Sequence, residues 1–120
     1  MEEERLLHDL IVNTLRKRLS REFPDLKVNL SGERRHAFRE FYPDIIISNH
    51  GMVVSVIEVE TPETLTEEKA NEWKAIAESG TRLSVVVPRE LKVKATEMLW
   101  QKGLAGKVSI GTYDININLT

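Results

Sequence analysis

Residues 44–60 constrain this chain more than any other segment. Asp44-Ile45-Ile46-Ile47-Ser48 is short and almost wholly apolar, a pattern that suits a buried strand and not an exposed loop. Asn49-His50-Gly51 follows as a turn, in which Gly51 can adopt the left-handed conformation of a three-residue hairpin loop. Residues 52–60, rich in Val and Ile, read as the returning strand. Alternation places Val54, Val56, Glu58 and Glu60 on one face of it, and Ser55, Ile57 and Val59 on the other.

The flanking sequence supplies what would cover such a hairpin. Across residues 3–22, Leu6, Leu7, Leu10, Ile11, Leu15 and Leu19 recur at helical spacing, which predicts an amphipathic helix ended by Phe23-Pro24-Asp25. Residues 26–30 alternate Leu26, Val28 and Leu30 against Lys27 and Asn29, a strand exposed on one face. Residues 33–41 are basic and aromatic, with no periodicity that assigns them. Thr61-Pro62-Glu63-Thr64 offers capping residues and an early proline for a helix running to about residue 79, with Gly80 placed to end it. Residues 83–87 read as a buried strand stopped by Pro88. A helix over 89–101 follows, with Leu91, Ala95, Met98 and Leu99 as its apolar stripe, and then a last strand over 107–115. The order is helix, strand, hairpin, helix, strand, helix, strand, without repeat or linker. It predicts one α/β domain over residues 1–120, a mixed central sheet flanked by helices.

Composition bounds the function classes. Hydrophobic residues at 41% and charged residues at 30% are ordinary for a folded domain. With no cysteine, disulfides and thiolate metal sites are excluded. No apolar run approaches the ~20 residues needed to span a bilayer, and the start of the chain is acidic; the expectation is a cytoplasmic protein with no membrane partner. The formal net charge of -2 hides an uneven distribution. Residues 16–39 hold eight Lys or Arg against three acids, a local +5, while residues 58–78 hold seven Glu against two Lys, a local -5. A metal-using nucleic-acid enzyme needs such a juxtaposition, and two solvated helices also produce it.

The residues that could carry chemistry gather at one end of the hairpin. Glu58 and Glu60 project the same way from one strand, with Cβ atoms ~7 Å apart. Carboxylates this close must share a proton, sit in water or bind a cation. In an antiparallel hairpin Asp44, at the start of the first strand, falls beside Glu58 and Glu60 at the end of the second. Three carboxylates there could cradle a hard divalent cation such as Mg²⁺. Acids where strands reach the surface also need no ligand to explain them. Arg34, Arg35 and Arg39, with Phe38, Phe41 and Tyr42, could hold phosphates and stack bases, or form a solvated loop with a few core aromatics. Glu2, Glu3 and Glu4 read as acids complementing a helix dipole. His8, His36 and His50 share no spacing and read as surface residues, and Trp73 and Trp100 as core.

Pro43-Asp44, a strand, a turn and then Glu58-x-Glu60 at the end of the next strand resemble the PD-(D/E)XK nuclease superfamily, over nearly the whole chain. The resemblance implies a restriction-endonuclease-like αβββαβ core, with Asp44 and Glu58 as ligands of a catalytic Mg²⁺ or Mn²⁺. That superfamily carries a lysine two residues after the Glu, where this chain has Glu60. Some restriction enzymes have Glu there, and other members move the lysine onto the following helix. Lys69, followed four residues on by Trp73 after Glu58-Val-Glu-Thr-Pro, is similar to the Uma2 branch, which implies that Lys69 is such a migrated lysine.

The function expected on this basis is metal-dependent hydrolysis of DNA phosphodiester bonds. Asp44 and Glu58 would be ligands, Glu60 a further ligand or a partner to the attacking water, and Lys69 the group that stabilises charge on the phosphate. A chain of 120 residues has little surface for reading sequence, so a homodimer presenting two sites to two strands is expected. The alternative is a nuclease-fold module that has lost its chemistry and serves binding, favoured by Glu60 in place of lysine and by the net charge of -2.

Overall fold

In a computed structural model, residues 2–115 are described. Helix α1 (Glu2–Leu19) leads through β1 (Leu26–Val28) and a long loop to the hairpin β2 (Ile45–Asn49) and β3 (Met52–Val59). Then follow α2 (Glu67–Glu78), β4 (Arg82–Pro88), a single 3₁₀ turn at Arg89–Leu91, α3 (Lys92–Gln101) and β5 (Ser109–Tyr113). The five strands lie in sequence order across one mixed sheet. β1, β2 and β3 are antiparallel neighbours, and β3, β4 and β5 run parallel.

The parallel half needs crossovers, which α2 and α3 provide. Two successive right-handed crossovers moving the same way along a sheet put both helices on the same face. That face carries the larger core, where Trp73 and Ile76 of α2 and Ala95 and Leu99 of α3 pack on Val56, Leu83, Val85 and Val87. The opposite face is covered by α1, whose Ile11 and Val12 pack on Ile45, Ile47, Ile57 and Val59. β3 thus has helices over both faces, and its last four residues are all buried.

Local details differ from the sequence expectations. The hairpin loop is a two-residue turn, His50-Gly51, with both residues at positive φ (53° and 78°), the geometry that matches strand twist best. The extra residue sits instead in a bulge on β3 near Val54, which turns that side chain toward solvent rather than onto the core face. α2 starts at Glu67 with Thr66 as its cap; Thr61-Pro62-Glu63-Thr64 forms a separate turn before it. Leu6 and Leu10 point away from the sheet because the stripe that packs is Leu7, Ile11, Leu15 and Leu19. Trp100 is 70% exposed on the outer face of α3, so it is not core. Among the described residues no helix is long and apolar enough to cross a membrane.

Candidate active site

The site lies where β3 ends, β2 begins and α2 enters its first turns. Asp44 extends the β2–β3 pairing with its side chain. Its Oδ2 accepts the Val59 N–H at 2.7 Å, and its own N–H donates to Glu58 Oε1 at 3.2 Å. Glu60 is fixed through its backbone, because its N–H donates to the Val86 carbonyl and the Tyr113 hydroxyl donates to its carbonyl oxygen. Asp44 and Glu58 therefore meet through rigid strand geometry.

The second half of the site comes from α2. Side chains two apart on a strand and four apart on a helix repeat at similar intervals, roughly 6–7 Å. Glu58 and Glu60 consequently meet Lys69 and Trp73 one to one. The Lys69 ammonium lies 2.9 Å from Glu58 Oε2, and the Trp73 indole N–H donates to Glu60 Oε2 at 3.0 Å. Thr66 aligns the helix by accepting the Lys69 N–H, and Thr64 donates to Glu60 Oε1 at 2.7 Å. Trp73 is wholly buried, as expected of a core residue, yet its polar edge serves the site.

Burial makes these groups electrostatically unusual. Glu58 is 2% exposed, and burial together with the Asp44 charge pushes its carboxyl up to about 8, against the pull of Lys69. Burial also pushes Glu60 up, while Lys69, Thr64 and Trp73 oppose it. Burial alone would lower the Lys69 ammonium; the facing Glu58 and Glu60 outweigh it and hold Lys69 above its ordinary value. Sheet ends and crowded carboxylates do not by themselves call for two buried glutamates.

His8 corrects the expectation of a surface residue. It is buried on α1, its Nε2 is 2.9 Å from Asp44 Oδ1, and its Nδ1 is 2.9 Å from Asp9 and 3.0 Å from the Ser31 hydroxyl. Burial opposes its positive charge, but Asp44 and Asp9 outweigh this and push His8 up to about 9. Asn29, expected on the exposed face of β1, is also buried. It accepts the Arg35 and His36 N–H groups and donates to the His36 and Pro43 carbonyls, so one amide organises the loop that delivers Asp44. A helix His four residues beyond Glu4, and an Asn ahead of a loop, were visible in sequence, but only the tertiary fold gives them partners.

A cleft of about 520 Å³ opens onto these groups. Asp44, Glu60, Lys69 and His8 line its floor, with Glu4, Arg5 and Tyr42 around them. Glu4 does more than complement a helix dipole: its Oε1 accepts the Glu63 N–H. Arg34 lies over the Tyr42 ring at 5.5 Å, beside the cleft. Arg35 pairs loosely with exposed geometry to Glu33 at 3.7 Å, and Arg39 stacks on Phe38, whose ring with Phe41 belongs to the core.

The donor set fits a hard cation, since Asp44, Glu58 and Glu60 offer only carboxylate oxygens. All six of those oxygens, however, already face a donor within the chain: His8 and Val59, Asp44 N–H and Lys69, Thr64 and Trp73. Among the described residues no group of three or more His, Asp or Glu side chains is arranged to hold a metal ion. No family model matches this chain, and neither a curated protein nor a solved structure matches it.

Proposed function

We propose that this chain is a nuclease-type domain of restriction-endonuclease-like topology that hydrolyses DNA phosphodiester bonds with a divalent metal. One observation carries the reading: buried Glu60, Asp44 and Lys69 line a cleft at the end of β3, and a second buried glutamate, Glu58, is ion-paired to that lysine behind it. Buried, perturbed ionisable groups in a cleft mark functional sites more often than structural ones. The carboxyl end of a strand entering a parallel pair is also where α/β sheets place ligands. The element order and the Pro43-Asp44, Glu58-x-Glu60 and Lys69 spacing support the resemblance to the PD-(D/E)XK superfamily.

Asp44, Glu58 and Glu60 would hold Mg²⁺ or Mn²⁺, which when bound polarises a phosphate oxygen and acidifies water. Lys69 reaches the cleft from α2 and would stabilise charge gathering on the phosphate. Glu60, where it is not itself a ligand, would partner the attacking water. Arg34, Arg35 and Arg39, on the loop beside the cleft, would engage the DNA backbone. A homodimer would set two such sites against two strands.

The cleavage test is direct. Linear and supercoiled DNA are incubated with Mg²⁺ or Mn²⁺ and wild-type protein, Asp44→Ala or Glu58→Gln. The reading expects cleavage by the wild type and at least about 100-fold less by each variant, with double-strand breaks rather than nicks if paired sites act together. Equal cleavage by all three would remove the assignment. The fully engaged carboxylate oxygens favour a second reading, a catalytically degenerate binding module; DNA retained without cleavage would support it.

A further inference from the structure

We infer that the outer face of α1 is a self-association surface, on which a second copy of this chain packs with its own α1 antiparallel. The inference is independent of the catalytic reading above. Leu7, Ile11, Leu15 and Leu19 turn inward onto the sheet, yet Leu6 and Leu10 are 65% and 55% exposed on the side facing away from it. Glu3, Leu6, Leu10, Asn13 and Lys17 follow one another at intervals of 3, 4, 3 and 4 residues, so they form one stripe along that side. Apolar residues in the middle of such a stripe, with charges at its two ends, are the pattern of a short helix–helix seam.

Charge selects the occupant. The first turn of α1 is acidic, with Glu2, Glu3 and Glu4, and its last turn is basic, with Arg16, Lys17 and Arg18. Each sign suits the dipole of its own helix end, but the dipole leaves Leu6 and Leu10 unexplained. Glu2, Glu3, Lys17 and Arg18 enter no ion pair among the described residues, so both ends are available to a partner. A parallel copy would set like turn against like. An antiparallel copy sets the acidic turn of each chain against the basic turn of the other, and a two-fold axis repeats that match. Full overlap of two 18-residue helices, each roughly 27 Å long, brings Leu10 of both copies together at the axis. Glu3 of each copy then lies opposite Lys17 of the other. Glu4 and Arg5 line the cleft, so the basic last turn of the second copy stands beside its rim. One helix seam is small beside the roughly 1,200–2,000 Å² of a stable complex, and its charges face water, so the association is weak and falls with salt.

Sedimentation equilibrium of the full chain, across a concentration series at low and high salt, tests this. The wild type is compared with Leu10→Glu, Glu3→Lys, Lys17→Glu and the double variant Glu3→Lys/Lys17→Glu. All three positions are exposed, and each variant is checked for folding by its thermal midpoint. The wild type is expected to form a dimer that weakens with salt, and Leu10→Glu to associate at least about tenfold less tightly. Each single charge reversal turns two attractions into two repulsions and is expected to weaken association about fivefold or more at low salt, while the double variant recovers. An equimolar mixture of the two single reversals is expected to associate more tightly than either alone. A wild type that stays monomeric would leave the face to a different partner and overturn the inference. A dimer untouched by Leu10→Glu would place the contact elsewhere and overturn it too. Single reversals without effect, as a parallel seam would give, or a double variant no tighter than the singles, would equally contradict it.

Discussion

His8 couples α1 to the acids of the sheet, and it makes the site sensitive to pH. Asp44 faces one ring nitrogen, while Asp9 and the Ser31 hydroxyl face the other. Its folded pKa of about 9 exceeds the ordinary 6.5, so the stabilisation is complete below pH 6.5 and is lost as pH rises through 9. Glu58, raised from 4.5 to about 8, acts in the same direction over a lower window, since burial disfavours the charge that the unfolded chain gains above 4.5. Stability should therefore fall from pH 6 to pH 9, by the order of 2 kcal/mol after allowance for water near the ring. Urea unfolding at pH 6, 7.5 and 9 measures it, with His8→Gln expected to flatten the upper part of the slope. A midpoint that rises with pH would contradict these partners.

At the scale of elements, period and punctuation made most of the fold legible. The apolar run at Ile45, Ile46 and Ile47 and the alternation around Val56 to Val59 specified a hairpin, and the hairpin was found. The existence of α2 was legible from its punctuation, and the structure shows Ala70, Trp73 and Ile76 as its buried face. Helix starts were less so: Thr61-Pro62 carries the usual start signals, but Thr64 is engaged with Glu60, and Thr66 caps instead. Residues 33–41 could not be assigned because they have no period of their own: the Asn29 amide orders them from outside the segment, and an isolated Phe38–Phe41 bridge closes a turn within it. Asn29→Ala would leave two N–H groups and two carbonyls of this loop without their partner, and is expected to cost about 2 kcal/mol. Chemical denaturation measures that loss. A change under about 0.5 kcal/mol would show that the loop orders itself without the amide.

The whole molecule places its charge differently from the linear sequence. The basic residues of 16–39 are carried by different parts of the fold: Arg16, Lys17 and Arg18 are in the last turn of α1, while Arg34 lies over Tyr42 beside the cleft. The acidic stretch divides similarly, since Glu58 and Glu60 turn inward to the site and Glu67, Glu68 and Glu78 stay exposed. Asp44, Glu58 and Glu60 were legible as a group because strand alternation and the hairpin bring them to one end, whereas Lys69 joined them only through the family resemblance. Their burial was not, because it depends on α1 and α2 closing over both faces of β3. The measurement that bears most directly on the metal-dependent reading is a crystal structure of the wild-type protein soaked in Mn²⁺, read by anomalous scattering. An anomalous peak among the carboxylates of Asp44, Glu58 and Glu60 is expected. Density with no peak there at saturating Mn²⁺ would contradict that reading.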